Sequence, residues 1–344
     1  MKIFMIGTQR SGSNLFRLML NQLPEIAAPH PPHILIRMMP LVQTYGDLED
    51  PENFALLVDD ACRLVEANPV EWDGVKLDRA DIARRSDRHD LYAVMAAIYD
   101  VLSERWGKTS WCCKSLGNVK YADELADRFP DAKFIYLYRD GRDVALSFTK
   151  AIEGEKHYYN IARDWDTGQQ QALKLRERVG EGRVISISYE DLTGDEQGTM
   201  RRVCEFLGVA FSSDTTEFYK TDEAKRAADA SGLWENVTKP VMKDNTRKFV
   251  SATSPDDLRI FESVAGRSLD ALGYERVLVK KGEETQFTPE QIAAFDAENE
   301  RLKAAMWEKL PAEDRRRRAE QKAVVDAIVA RNSGLDESPA AVSA

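Results

Sequence analysis

No apolar run of about 18 residues or more occurs anywhere in the chain, so no segment reads as a membrane-spanning helix. The N-terminus also lacks a basic stretch, an apolar core and a cleavage site; it enters a strand-like run directly, which leads us to expect a soluble cytoplasmic protein. Cysteine is scarce. The four present, Cys62, Cys112, Cys113 and Cys204, show no zinc spacing and read as buried free thiols, with the neighbours Cys112 and Cys113 directed to opposite faces of a strand. Excess positive charge is absent as well: the net charge of −10 argues against general affinity for nucleic acid or anionic membrane, so any anion site must be local. What remains is ordinary. At 344 residues and 43% hydrophobic composition, the chain can build one large α/β domain or two small ones.

The most informative stretch is Ile6-Gly7-Thr8-Gln9-Arg10-Ser11-Gly12-Ser13-Asn14-Leu15, which follows the apolar run Ile3 to Ile6 and opens an amphipathic one. It reads as strand, glycine turn and helix, with Gly7 and Gly12 at the spacing of a phosphate-binding loop, where backbone N–H groups and a helix N-terminus converge on an anion. The lysine and Mg²⁺-binding hydroxyl of nucleotide hydrolases are missing, their places taken by Ser13 and Asn14. The nearest fixed cation is Arg10. The loop therefore suits an anion held without a metal.

Strand-like runs at Lys2 to Ile6, Ser110 to Cys113, Lys133 to Tyr138 and Arg183 to Ser188 alternate with helical patterns, which implies an α/β fold with a parallel, P-loop-type sheet flanked by helices. We expect a main domain over residues 1–280 with a mostly helical insertion at about 25–108, including Asn53 to Glu66 and Asp87 to Trp106, broken by Pro29-His30-Pro31-Pro32-His33. A helical C-terminal extension over 285–334 starts with the capping signature Thr288-Pro289-Glu290-Gln291, and a disordered tail over 335–344 follows. Its Arg315 to Arg318 run reads as a solvated helix face, being flanked by Glu313, Asp314 and Glu320.

Two further motifs lie at strand ends. In Tyr138-Arg139-Asp140-Gly141-Arg142-Asp143 the arginine at 139 stands just beyond a buried strand, and Ser147 comes eight residues later on the next helix. Ligands of open parallel sheets bind beyond the carboxyl ends of the strands, so Arg139 and Ser147 belong on the edge of the glycine loop. Arg142 and Asp143 read instead as surface charges paired around a helix start. In Trp111-Cys112-Cys113-Lys114-Ser115, Lys114 ends a buried strand on the same edge, where an ammonium is costly without an anion nearby.

Taken together, these motifs over roughly residues 2–275 resemble the sulfotransferases that use 3′-phosphoadenosine-5′-phosphosulfate (PAPS), in particular the bacterial and Golgi-type branch that includes the tyrosylprotein sulfotransferases. The resemblance implies a sulfotransferase fold and sulfuryl transfer from PAPS, leaving adenosine 3′,5′-bisphosphate (PAP), with no metal required. It implies a 5′-phosphosulfate loop in Thr8, Gln9, Arg10, Ser11, Gly12, Ser13 and Asn14, a 3′-phosphate pair in Arg139 and Ser147, and a strand-end lysine, Lys114, that stabilises the reacting group. Weaker matches add Tyr189, Lys239 and, in Asn245-Thr246-Arg247-Lys248, Arg247. Tyr189 also reads as a packing residue at a strand end.

The proton acceptor departs from the pattern. Tyrosylprotein sulfotransferases carry a glutamate about twenty residues after the loop arginine, whereas this chain has His30 and Pro31 there and His33 close behind. Histidine can accept a proton from an attacking hydroxyl near neutral pH, so His30 or His33 is expected as the base. The acceptor is expected to be a hydroxylated small molecule or lipid, because the acidic chain would repel acidic tyrosine-bearing segments; Ile152 to Trp165 is expected at the pocket mouth. Two alternatives stand: a P-loop small-molecule kinase, and a non-catalytic nucleotide-binding relative that forms a homodimer through its C-terminal helices.

Overall fold

Apolar runs pair into a five-stranded, wholly parallel sheet: β1 (Lys2–Gly7), β2 (Ile26–Ala27), β3 (Ser110–Cys113), β4 (Lys133–Tyr138) and β5 (Val184–Ser188), in the spatial order β2-β3-β1-β4-β5. The structure is a computed structural model that describes residues 1–230 and 236–333; the expected tail at 335–344 lies outside them. Strands buried on both faces need apolar side chains at successive positions. The sheet shows this directly: Phe4, Ile6, Cys113, Phe134 and Tyr136 pack on one side, and Ile3, Met5, Cys112, Ile135 and Leu137 on the other. The adjacent cysteines thus face opposite ways and are unpaired and buried, as are Cys62 and Cys204.

β2 is the strand that the sequence reading placed inside the helical insertion. At two residues it carries no periodicity, and it forms through pairing of Ile26 and Ala27 with Ser110 and Trp111. Helix α1 (Ser13–Asn21) leads to it, and α2 (Ile34–Met38), α3 (Pro51–Glu66), α4 (Arg79–Arg85) and α5 (Leu91–Arg105) separate it from β3. The long members of this group begin at side-chain caps: Asp50 accepts from Glu52 N ahead of Pro51, and Asp90 from Ala93 N.

After β3 come α6 (Ala122–Arg128), then β4, α7 (Gly141–Phe148), α8 (Tyr158–Val179), β5, α9 (Tyr189–Gly194) and α10 (Glu196–Leu207). The remaining helices are α11 (Asp222–Ala230), α12 (Phe249–Ala252), α13 (Pro255–Ala271), α14 (Pro289–Glu308) and α15 (Ala312–Ser333). Thr288 and Gln291 form the capping box read from the sequence, each side chain bonding the other residue's backbone N–H. The extension lies along the chain's own body: Val324 and Ile328 of α15 join the same core as α3. Among the described residues no helix is long and apolar enough to cross a membrane.

Arg142 and Asp143 correct the reading of them as surface charges. Both are buried: Arg142 pairs with Asp140 at 2.8 Å and Glu262 at 2.7 Å, and Asp143 accepts the backbone N–H groups of Arg247 at 2.6 Å and Phe249 at 3.0 Å. Asp140 does cap α7 by accepting from Arg142 N. The charges went inward because α13 brings Glu262 over the start of α7, supplying the partner that a buried guanidinium requires.

Candidate active site

The sheet order places the ends of β3, β1, β4 and β5 side by side, so Lys114, the glycine loop, Arg139 and Tyr189 meet on one edge. In the loop, Gly7 has φ 135° and an added Cβ would lie 2.1 Å from the Leu137 carbonyl oxygen, so β1 ends hard against β4. Arg10 (φ 68°) and Gly12 (φ 81°) are left-handed, a backbone form that gathers N–H groups around an anion. Gly12 also leaves the N-terminus of α1 without a side-chain cap. Those helix-end donors need a partner from elsewhere.

Around the loop the two arginines interlock. Arg10 Nε donates to Ser147 Oγ at 3.0 Å; Arg139 Nη1 donates to the Arg10 carbonyl at 3.1 Å and Nη2 to the Asn245 carbonyl at 2.6 Å. The Arg139 guanidinium lies 4.3 Å from the centre of the Tyr189 ring, and Asn245 Nδ2 donates to the Tyr189 hydroxyl at 2.9 Å. A Cβ on Gly12 would come within 2.5 Å of that same ring, so the tyrosine seals the loop from the β5 side. Arg247 is exposed beside this group with φ 54°, its backbone N–H held by Asp143. Lys239 and Gln9 are exposed, Ser13 and Asn14 start α1, and Thr8 Oγ1 accepts from Gln169 of α8 at 3.1 Å.

Beyond β3 lies a second cluster. Lys114 is 9% exposed, and burial first, then Arg17 and Arg10, pushes its ammonium down from 10.5 to about 7, with Glu153 opposing. His30 is buried, and its carbonyl accepts from Trp72 Nε1 at 2.7 Å and Asn68 Nδ2 at 3.1 Å. Because Asn68 Nδ2 also donates to the Val70 carbonyl at 2.9 Å, its Oδ1 is the atom left to meet His30 Nδ1, at 3.3 Å. That assignment makes Nδ1 the donor and Nε2 the basic nitrogen. His33 Nδ1 lies 3.1 Å from Ser115 Oγ, next to Lys114 in the chain. Burial and the Lys114 charge lower both imidazoles below the usual histidine range, so each is neutral at pH 7.

The non-glycine residues with left-handed backbone among those described are Arg10, His33 and Arg247. All three belong to the residues singled out from the sequence. Such conformations cost of order 1–3 kcal/mol and gather at functional sites. Arg17 was not singled out, though a lone arginine in the run Leu15 to Leu20 is a signal of a buried charge. It is fully buried, bonded to the Ala28 carbonyl at 3.2 Å and to Glu223 of α11, while its Nε and Nη2 have no partner among the described residues. Ser11 Oγ and Arg139 Nε are likewise buried and without a partner among the described residues. These are cationic and hydroxyl donors turned to one edge of an acidic protein, and an anion with several phosphate-type oxygens fits them.

A cavity of about 470 Å³ opens two residues past Ser147, lined by Thr149 and by Lys156, His157 and Tyr158 on one side and by Leu302 and Met306 of α14 on the other. Three of these fall in the Ile152 to Trp165 segment that the sequence placed at a pocket mouth. Among the described residues no group of three or more His, Cys, Asp or Glu is placed to hold a metal ion.

Comparison with known proteins gives this geometry a family. A family model described as "Sulfotransferase family" matches residues 2–213, and one described as "Sulfotransferase domain" matches residues 122–306. Among curated relatives, Protein-tyrosine sulfotransferase A of Caenorhabditis elegans is 24% identical over 316 residues, covering 89% of this chain and 75% of that protein. Protein-tyrosine sulfotransferase 2 of Gallus gallus is 23% identical over 282 residues, covering 79% and 69%. The fold is shared with the sulfotransferase domain from the curacin biosynthetic pathway (TM-score 0.56, 20% identity, 80% of this chain and 98% of that one) and with that of the Synechococcus PCC 7002 olefin synthase (TM-score 0.55, 23% identity, 79% and 94%). With a family model spanning more than half of its length and an edge of the sheet built to grip anionic oxygens, the chain belongs to the sulfotransferase family.

Proposed function

We propose that this enzyme moves a sulfuryl group from PAPS to the hydroxyl of a small-molecule or lipid acceptor, with His30 as the base and His33 beside it. The observation that carries the reading is the convergence of the interlocked pair Arg10 and Arg139 with Lys114 and His30 on one sheet edge. PAPS supplies an already activated sulfuryl group whose transfer needs alignment and charge stabilisation more than covalent help. Arg10 and the backbone N–H groups from Thr8 to Asn14 hold the phosphosulfate end, while Arg139, Ser147, Tyr189, Lys239 and Arg247 hold the 3′-phosphate end. Lys114 stabilises negative charge at the point of transfer, and His30 Nε2 takes the acceptor proton. The four unpaired, buried cysteines support a cytoplasmic setting.

The net charge of −10 supports the acceptor class, because an acidic protein disfavours acidic tyrosine-bearing segments. A second reading, tyrosine in a protein, is favoured by the relatives named as protein-tyrosine sulfotransferases. Turnover with PAPS against a panel of phenols, sterols and fatty alcohols, set beside tyrosine peptides with acidic flanks, separates them. Sulfation confined to the peptides would replace the first reading with the second. A thermal shift with Mg·ATP but none with PAP would favour the kinase alternative over both.

Arg139→Ala should weaken PAP binding by roughly 10- to 100-fold, as expected for one charged group with several hydrogen bonds, while turnover at saturating PAPS changes far less. Calorimetric titration with PAP measures the first and saturation kinetics the second. An unchanged dissociation constant would remove Arg139 from the nucleotide site.

A further inference from the structure

The C-terminal helices touch the body at two points that matter for the reaction. Asn299 of α14 is 2% exposed; its Oδ1 accepts from Lys156 N at 2.7 Å and His157 N at 3.0 Å, and its Nδ2 donates to Glu155. Around it, the His157 ring stacks on Phe295 at 4.6 Å and Asn160 Nδ2 donates to Asp296 at 2.6 Å. Gln321 of α15 is 5% exposed, and its Nε2 donates to the Pro32 carbonyl at 3.3 Å and the Leu64 carbonyl at 3.2 Å. One turn earlier, Arg318 pairs with Glu153. Two buried amides of one extension thus reach two separate segments. One segment is the turn that carries His30 and His33; the other carries Glu153, whose carboxylate acts on both Arg10 and Lys114.

We propose that Asn299 and Gln321 are positioning residues that hold the acceptor side of the active centre, Gln321 by fixing the His30–His33 turn and Asn299 by fixing the Glu153–His157 loop. The inference rests on the sulfotransferase reading of the site and adds the C-terminal extension to it. Helix docking alone does not require these amides. Val324 and Ile328 already bury α15 against the core, and Arg331 bonds to Asp60. An amide placed nine-tenths out of water is costly unless its hydrogen bonds are made, and here Gln321 divides its bonds between Pro32 and Leu64 of α3, while Asn299 spends its own on the backbone of Lys156 and His157 and the carboxylate of Glu155. The Pro32 carbonyl is the acceptor immediately before His33, whose left-handed backbone (φ 62°) needs outside restraint. Neither amide bonds to the glycine loop, Arg139 or Tyr189, so their reach toward the nucleotide side is limited to the Glu153 charge acting on Arg10.

The test uses Gln321→Met and Asn299→Leu in the full chain, near-isosteric changes that remove the hydrogen bonds and keep the volume. Hydrogen exchange should speed up over residues 26–35 in the first variant and 151–160 in the second, with 6–15 unchanged in both. PAP affinity should stay within about twofold and the KM for PAPS should hold, while kcat falls roughly 10- to 100-fold, the scale set by misplacing a reacting group by about 1 Å. Unchanged exchange in these segments overturns the proposal. So does a loss of PAP affinity equal to the loss of kcat, which would mean general damage to the fold. A wild-type chain that transfers no sulfuryl group to any acceptor would end the sulfotransferase reading instead, and the positioning claim would then stand or fall on the exchange data with PAP bound.

Discussion

Lys114→Met should give an enzyme that is slower and more stable at once. Turnover is expected to fall by about 10²- to 10³-fold, the usual effect of deleting one preorganised group that stabilises charge in the transition state. PAP affinity should fall far less, because Arg10, Arg139 and the loop N–H groups remain. The gain in stability follows from linkage. Burial with Arg17 and Arg10 lowers the lysine from 10.5 to about 7, so between those values the unfolded chain holds a proton that the folded one has lost, and stability rises with pH. Below about pH 7 both states are protonated and the full cost of the buried ammonium is present. Methionine removes that cost without leaving a cavity, and melting temperature should rise by roughly 5–10 °C at pH 7, with the difference vanishing above about pH 10.5. In the wild type the same shift predicts proton uptake when PAP binds near pH 8, since the anion favours the ammonium; titrations in two buffers of different ionisation enthalpy would show it. A variant with undiminished turnover would remove Lys114 from the chemistry.

His30→Ala is expected to cost on the order of 10² to 10⁴ in kcat, the range for loss of a positioned general base. Asn68 and Trp72 hold its backbone and Asn68 fixes its tautomer, whereas the ring of His33 meets the hydroxyl of Ser115. The shared environment also sets a pH signature. Both imidazoles are lowered, so the acid limb of kcat/KM for the wild-type enzyme should fall below the ordinary histidine value of about 6.5. Below that value the unfolded chain takes up protons that the folded imidazoles refuse, and stability should decline as the solution is acidified. If His33→Ala shows the large loss and His30→Ala does not, the base is His33.

Much of the architecture was legible because the physics behind it is local. Strands buried on both faces must be apolar throughout, and β1, β3, β4 and β5 announce themselves as such runs; the parallel arrangement then puts their ends together without further information. β2 had no such voice, since two residues have no period and its pairing depends on Ser110 and Trp111 far along the chain. Arg142 and Asp143 looked like ordinary surface charges because nothing near them in sequence reveals that Glu262, or the backbone of Arg247 and Phe249, would arrive to satisfy them. At the site, the glycine spacing and strand-end cations marked the residues that the fold brings together. Asn68, Asn299 and Gln321 were silent, for a polar amide gains meaning only from the carbonyls and N–H groups it meets in space.

The left-handed backbone at Arg10, His33 and Arg247 has an evolutionary side. Glycine would relax each position by about 1 kcal/mol or more, so a library screened for heat tolerance alone would be drawn toward it there. Each such winner would discard a guanidinium or an imidazole. Directed evolution of this enzyme for robustness therefore needs a simultaneous selection for sulfated product, or its most thermotolerant descendants will be well-folded proteins that have forgotten their trade.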